Sequence, residues 1–347
     1  MDQRELLTQA RDLEASGELR EAASRYDRAY ALDPADTEVA EARAALLDRM
    51  AVTEHGITFR YIPAGTFLMG SSGGDQDERP VHEVRLGDVW MAETPVSWWT
   101  FCDLMGWALP PEGVPPGEGV DRKFMFGLHI ENQIRWQYCE DATTGATDWH
   151  AHNPRLTLTR GDGESVPAEE FFGRVPRDHS APWLYERKPM VGVSWAAAAE
   201  LGERLSDDRV RYRLPTEAEW ERAARGGLSG RRYPWGDEPP TPERCDFDRF
   251  TEFAIRPVKD IPPNGYGLYG MAGSVWEWTS DWYDAEYYRH SPGADPRGPA
   301  EGTERVLRGG SWADCADTVS VSFRMSRAPD DGLTPNIGFR LCREPVR

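Results

Sequence analysis

Two histidines separated by a single residue are the first candidates for metal chemistry in this sequence. His150 and His152 belong to the run Asp148-Trp-His-Ala-His152. In a strand, alternate side chains point to the same face, so the pair could chelate one transition metal. With Asp148 or another carboxylate, it would resemble a two-histidine, one-carboxylate iron site. Because this spacing also arises by chance, a surface or hydrogen-bonding role is the alternative.

A second group of chemically active side chains lies near the C-terminus. It comprises an aromatic ring, carboxylates, a thiol, a hydroxyl and a guanidinium, carried by Trp312, Asp314, Cys315, Asp317, Ser322 and Arg324. In an enzyme, Asp314 could act as an acid, base or metal ligand, with Cys315 beside it. Aromatic residues next to small polar ones also suit recognition, because they supply contact area at modest entropic cost. A plain surface loop is the alternative.

Several common catalytic templates are missing. The sequence has no G-x-x-x-x-G-K-[ST] loop, no G-x-S-x-G elbow and no H-E-x-x-H pair. The turn Ser72-Gly-Gly-Asp75 has no phosphate-binding context. The whole sequence has 5 cysteines, which are odd in number, widely scattered and without a C-x-x-C pair. We therefore expect free thiols in a reducing compartment.

The charge balance argues against two classes of partner. The 347 residues carry a formal net charge of −19, which disfavours nucleic acid and anionic membrane surfaces. The N-terminus lacks the apolar core of a signal peptide, and no run approaches the ~18 apolar residues of a membrane span. We therefore expect a cytoplasmic protein. The length of the chain allows one large domain with a small appendage, or two ordinary domains.

The elements that must position these residues begin with helices. Residues 1–50 show helical spacing, with Gly17 between two runs and Pro34 ending the second, and a third helix is expected from about Asp36 to Arg49. The string from Gly17 to Pro34 looks like a tetratricopeptide repeat. One repeat cannot bury its own apolar face, so it must pack on the rest of the chain, on a second copy or on a partner.

Strands and turns follow from Ile57. Alternating apolar residues in the runs 63–70, 78–86 and 89–96 suggest an antiparallel pair. Two further helices are predicted. One is capped by Ser194 and runs to Leu205, and the other starts at Thr216, where Glu219 completes a capping box.

Six ordered motifs closely resemble the formylglycine-generating enzyme superfamily, also called the sulfatase-modifying factor family. They are Ile62-Pro-Ala-Gly-Thr-Phe-Leu-Met-Gly70, Val191-Gly-Val-Ser-Trp195, Arg213–Arg225, Asn264–Thr279, Arg305–Trp312 and Asn336–Cys342. The resemblance covers about residues 55–345. It implies an α+β, C-type-lectin-like domain at 51–347, with little regular secondary structure and a family-variable central region at about 107–188, preceded by the small helical repeat of residues 1–50.

The resemblance also identifies what this chain lacks. The family's oxidases use two cysteines that bind copper, and soft thiolates suit Cu(I). Counted from Ser311, these positions hold Asp314 and Val319, and Cys315 is one residue away. We therefore do not expect formylglycine generation. In this fold the segment from Trp312 to Arg327 lines the exposed ligand face.

Calcium is the bound ion that the resemblance implies. One site would use Glu277 with backbone oxygens of Gly273 and Val275, although Gly270 replaces the family's Asn or Asp. An earlier site would use Asp246 and Phe247, assisted by Asp248 or Glu252. Calcium prefers six to eight oxygen ligands, so such sets are chemically suitable.

Together these observations favour a non-oxidase binding module that recognises a protein or peptide through the C-terminal lectin-like face. Its N-terminal helices could dock a partner. A metal- and oxygen-dependent oxidoreductase using iron or copper at His150 and His152 is the first alternative. A diversified variable protein of a retroelement is the second.

Overall fold

The computed structural model describes residues 1–105, 157–159, 165–167, 188–249, 255–330 and 336–346. The α-helices in these ranges are α1 Gln3–Ala15, α2 Leu19–Leu32, α3 Thr37–Arg49, α4 Trp98–Met105, α5 Trp195–Leu205 and α6 Glu217–Ala224. The strands are β1 Val52–Glu54, β2 Ile57–Ile62, β3 Gly65–Met69, β4 His82–Leu86, β5 Val89–Ala92, β6 Thr157–Thr159, β7 Ser165–Pro167, β8 Val210–Arg213, β9 Trp276–Trp282, β10 Arg305–Arg308, β11 Arg324–Arg327, β12 Ile337–Gly338 and β13 Cys342–Pro345.

Three N-terminal helices form where the sequence predicts them. Asp2 caps α1 by accepting the amide of Glu5 at 2.9 Å, and Asp36 caps α3 by accepting the amide of Val39 at 3.2 Å. Gly17 adopts a φ of +86° between α1 and α2, a conformation that L side chains rarely take. The helices are therefore confirmed, whereas their assignment as a tetratricopeptide repeat stays a prediction.

The N-terminal helices pack on the rest of the same chain. Buried α2 and α3 side chains share one hydrophobic cluster with β2 and β5. At the contact, the Arg43 guanidinium donates to the carbonyl of Gly265 at 2.6 Å and, through Nη2, to that of Gly226 at 3.3 Å. The Trp90 indole donates to the carbonyl of Met50 at 2.9 Å. Of the three ways in which the helices could bury their apolar face, the structure therefore shows packing on the rest of the same chain.

Two larger sheets make up the β structure of the main domain. One has the strand order β1-β2-β5-β13-β8, and the other has the order β11-β10-β9-β12. β12 pairs in parallel with β9, while β9, β10 and β11 are antiparallel. β3 and β4 form the predicted antiparallel pair, in a register that aligns Gly65 with Leu86. This mixed arrangement of helices and sheets confirms the α+β class.

Local signals correctly located the two later helices. Ser194 caps α5 by accepting the amide of Ala197 at 3.2 Å. At α6, Thr216 and Glu219 exchange both bonds of a capping box. No helix in the described ranges is long and apolar enough to cross a membrane.

Candidate functional site

The predicted ligand segment divides into a buried part and an exposed part. Trp312 and Arg324 are 1% and 5% exposed, and Ser322 is also buried. Asp314 is half-buried, whereas Cys315 and Asp317 are exposed. Among these six predicted ligand residues, only Cys315 and Asp317 therefore offer their side chains freely to solvent.

Arg324 belongs to the interior instead of a ligand face, which corrects the expectation from sequence. Its guanidinium forms a bidentate pair with Glu217, with Nε···Oε1 at 2.7 Å and Nη2···Oε2 at 3.0 Å. The ring of Tyr288 lies 4.4 Å from the guanidinium carbon. Burial alone would raise the pKa of Glu217, yet Arg324 and the neighbouring Arg308 hold that pKa below its ordinary value. The pair fastens β11 to α6.

Asp314 is held by neighbouring donors at its half-buried position. Its Oδ2 accepts a hydrogen bond from the Trp276 indole at 2.8 Å and another from the Ser311 hydroxyl. Its carbonyl oxygen accepts the amide of Asp248 at 2.8 Å. The side chain of Asn336 donates to Ser311 at 3.2 Å. Asp314 therefore acts as an acceptor that joins β9 to the loop that precedes Cys315.

The two positions expected for a copper-binding thiol pair do not fit copper. Val319 is fully buried among Tyr233, Cys245 and Ala272. Neither its methyl groups nor the Asp314 carboxylate supplies the soft sulfur ligands that Cu(I) prefers. Burial also raises the pKa of Cys245 and of Cys342 well above that of a free thiol, which keeps both protonated.

The two predicted calcium sites differ in how far their carboxylate oxygens already accept hydrogen bonds from the protein. Both Glu277 oxygens are engaged, because Arg340 donates to each at 2.7 Å and the Trp220 indole donates to Oε2 at 2.8 Å. Glu277 is completely buried and its charge is paired with Arg340, and calcium at this position stays a prediction. Gly273 and Val275 lie in the same polypeptide run, but their expected carboxylate partner faces Arg340.

The earlier predicted calcium site lies at the acidic turn that begins with Asp246. Asp246 is 2% exposed, and burial raises the pKa of its carboxyl. Its oxygens contact the Arg256 amide at 3.0 Å and Arg249 at 3.2 Å. Phe247 and Asp248 follow it along the chain, and Asp248 adopts a φ of +53°. Calcium at this turn stays a prediction.

Other predicted ligands cannot be placed. His150, His152, Asp148 and Glu252 lie outside the described residues. Within the described ranges, no group of three or more histidine, cysteine or acidic side chains is arranged to hold a metal ion.

A groove of about 550 Å³ runs beside the exposed part of the predicted segment. Its lining includes Asp317, Ser320, Ser322 and Phe323, together with the loop 70–75 that follows β3. Its volume falls in the range of roughly 300–1,000 Å³ typical of ligand sites. The groove brings two of the predicted ligand residues, Asp317 and Ser322, onto one surface.

The loop of the groove is rigidly built. Ser71 Oγ accepts the amides of Gly73 at 3.2 Å and Gly74 at 3.1 Å. Arg225 donates to the carbonyl of Gly70 at 3.0 Å, and the amide of Gly70 donates to Glu221 at 2.8 Å. These bonds fix the glycine backbone against α6, so the loop is already shaped before a ligand arrives.

Glu78 carries an unpartnered carboxylate oxygen directly behind the loop that lines the groove. This side chain is 2% exposed, and its Oε1 accepts the amide of Asp75 at 2.9 Å. Its Oε2 is buried without a hydrogen-bond partner. A Cβ on Gly74 would overlap the carboxylate, so glycine is required there. A buried carboxylate oxygen without a donor is costly, and a ligand N–H would remove that cost.

Sequence reasoning missed Glu78 and dismissed the turn at Ser72–Asp75. The available signal was the Ser71-Ser-Gly-Gly74 run, whose glycines permit both a close approach to Glu78 and amide donation to a serine. Nothing in the sequence placed this turn opposite Ser322, because the two are about 250 residues apart.

Comparison with known proteins finds relatives that match most of this chain. The model of the sulfatase-modifying factor enzyme 1-like domain matches residues 51–345. A formylglycine-generating enzyme of Streptomyces coelicolor is 35% identical over 312 residues, which cover 82% of this chain and 88% of that protein. The serine/threonine-protein kinase pkn1 of Chlamydia pneumoniae is 41% identical over 284 residues, covering 81% of this chain but 37% of the kinase.

Among solved structures, PvdO from Pseudomonas aeruginosa superimposes with a TM-score of 0.55 at 22% sequence identity. The match covers 85% of this chain and 97% of that structure. At this identity the similarity establishes the fold, and it says nothing about activity.

Proposed function

This chain belongs to the sulfatase-modifying factor family, and we propose that it is a member that binds a peptide instead of oxidising cysteine. The observation that carries the proposal is the groove lined by loop 70–75 and the 317–323 segment, with the unpartnered Glu78 oxygen directly behind Gly74 of that loop. Gly74 covers this oxygen, so a ligand N–H that satisfies it must enter from the Gly74 side of the groove.

The chemistry at Asp314 and Val319 supports the non-oxidase half of the proposal. The oxidases of the family need two thiolates at these positions, and here one position holds a hydrogen-bonded carboxylate and the other a buried aliphatic side chain. Cys315 supplies one exposed thiol and cannot replace a pair.

The walls of the groove suit a polypeptide segment. Leu68 and Val81 are 44% and 39% exposed and provide apolar contact. Arg232 and Asp317, paired at 3.0 Å on the surface, provide both signs of charge at the rim. Such a mixture of apolar contact, fixed polar groups and rim charges is typical of protein-binding surfaces.

A random-peptide display library, selected on the intact chain, tests the proposal directly. Gly73 has open space around its Cβ position and an ordinary φ, so Gly73→Trp would fill the groove without backbone strain. Gly87 has the same freedom and lies outside this groove, so Gly87→Trp is the matched control. We expect Gly73→Trp to weaken a selected peptide by about tenfold or more, measured by fluorescence anisotropy, and Gly87→Trp to leave it unchanged.

Equal binding by both variants would place the peptide site elsewhere. Incubation of the protein with a cysteine-containing sulfatase peptide, Cu(I) and oxygen, followed by hydrazide capture, would detect any aldehyde product; we expect none. Iron or copper that co-purifies with the protein and is lost in His150→Ala/His152→Ala would instead favour the oxidoreductase alternative.

A further inference from the structure

A separate cavity of about 560 Å³ lies where α2 meets the family domain, which spans residues 51–345. Its floor is the segment from Ala64 to Leu68, and one side is formed by α6 and the turn that follows it, through Ser229. It is distinct from the groove, because only Leu68 and Arg225 line both.

Positive charge is concentrated on the walls of this cavity. Its lining holds the guanidinium groups of Arg25, Arg28, Arg222 and Arg225, and its one acidic residue is Asp27. The Arg225 charge is balanced by Glu221 at 2.7 Å, so the excess comes from Arg25, Arg28 and Arg222. It stands out in a chain whose net charge is −19. Arg25 and Arg28 are three residues apart on α2, a spacing that puts both on one helical face.

Asp27 neutralises little of this charge, because its oxygens are mostly occupied by other partners. Its Oδ1 accepts both Nε and Nη2 of the buried Arg43, at 3.0 Å and 2.7 Å. Its Oδ2 accepts the Tyr266 hydroxyl at 2.9 Å and has a longer contact, 3.4 Å, with Arg222. Most of the Asp27 charge is therefore balanced by Arg43, which does not line the cavity.

Arg222 is a buried arginine of this cavity with unpartnered N–H groups. The side chain is 5% exposed, yet its Nε and Nη1 have no hydrogen-bond partner. Its Nη2 is held by the carbonyl of Pro63 at 2.7 Å, which fixes the orientation of the guanidinium. Gly65 lies against this group, where a Cβ would come within 2.7 Å of Nη2. The buried Nε of Arg25 is also unpartnered.

We propose that this cavity binds the phosphoryl group of a small molecule. Arginine guanidinium groups match the oxygens of phosphate in geometry and charge, and a buried, fixed guanidinium with free N–H groups is already ordered for that contact. Arg222 supplies the fixed donors, while Arg25 and Arg28 supply the remaining positive charge. Neither of these α2 arginines pairs with a carboxylate in the described part of the chain. Phe67, Leu68 and Leu228 offer apolar surface for an organic substituent.

Isothermal titration calorimetry on the intact chain tests this site, with inorganic phosphate and adenosine monophosphate as probes. Ionic strength is held constant with sodium chloride, so that nonspecific screening is common to every titration. We expect the variant Arg25→Gln/Arg28→Gln to bind the better probe at least about tenfold more weakly than the native chain. The exposed Arg4→Gln/Arg11→Gln variant on α1 removes the same charge outside the cavity and should bind as the native chain does.

The two probes distinguish the source of the phosphoryl group. Binding of inorganic phosphate alone identifies a free-phosphate site, and tighter binding of the nucleotide identifies an organic phosphate; either supports the proposal. No heat beyond the chloride control, or equal weakening by both double variants, overturns it. Melting curves in chloride establish that the variants are folded. Because the peptide groove has its own variants, failure here leaves the proposed function unaffected.

Discussion

Ionisation of a buried aspartate should make this protein less stable as pH rises from weakly acidic to neutral. Asp281 is 2% exposed, and burial, followed by the nearby Glu217, raises its pKa from 3.8 to about 7. In the unfolded chain the group ionises near its ordinary pKa, so between the two values the folded state holds a proton that the unfolded state has released. Stability from this group is complete below the unfolded pKa and is lost as pH rises through the folded pKa.

The magnitude follows from linkage. Each pH unit between the two pKa values changes the free energy of unfolding by about 1.4 kcal/mol, and the loss between pH 5 and pH 8 comes to about 2.5 kcal/mol. Asp281→Asn should abolish this component. An asparagine Oδ1 in the place of Oδ2 can still accept the Glu217 amide at 2.9 Å and the Ser280 hydroxyl at 3.0 Å.

Guanidinium unfolding followed by tryptophan fluorescence, repeated from pH 5 to pH 8, measures the effect. The exposed Asp12→Asn controls for the loss of one negative charge from an acidic chain. We expect the native protein and the Asp12 variant to lose stability in parallel, and the Asp281 variant to lose about 2.5 kcal/mol less. The reasoning is refuted if all three proteins follow the same pH dependence.

Three further predictions concern other buried or exposed groups. Glu277→Gln should lower the free energy of unfolding by roughly 3–5 kcal/mol, because it leaves the buried Arg340 charge unpaired; a denaturation curve within 1 kcal/mol of the native one would contradict this. Iodoacetamide should modify Cys315 well before the two buried described thiols, as peptide mass spectrometry can show; simultaneous modification would mean that the interior opens readily. If calcium binds the acidic turn, its addition to chelator-treated protein should raise Tm, and Asp246→Asn should remove that increase while leaving an ordinary folded spectrum.

The parts of the fold that the sequence predicted depend on local interactions. The Thr216–Glu219 capping box and the Ser194 cap need partners only three residues away, so their spacing carries the information. Gly17 likewise marks a turn between helices through its own backbone preference. Such signals can be recognised in a single sequence because they depend only on neighbouring residues and on no tertiary contact.

Site residues were harder to assign because their partners are distant in sequence. Arg324 reads as a polar residue on an exposed segment, but Glu217, 107 positions earlier, draws it into the interior. The sequence predicts Glu277 as a calcium ligand but does not reveal that Arg340, 63 positions later, donates to both of its oxygens. Burial of a charge depends on such pairings, and residue type alone does not reveal which of two roles a carboxylate takes.

The Arg43 guanidinium has a consequence for how this chain can be divided. It takes part in closing the seam between the helices and the family domain, since it satisfies acceptors that belong to both. A shortened protein beginning at residue 51 would expose to water the apolar side chains of β2 and β5 that the helices cover, besides the two carbonyls and the Trp90 indole. Recombination or engineering that removes the helices must therefore also rewrite the surface beneath them, so the two segments are expected to be inherited and to evolve together.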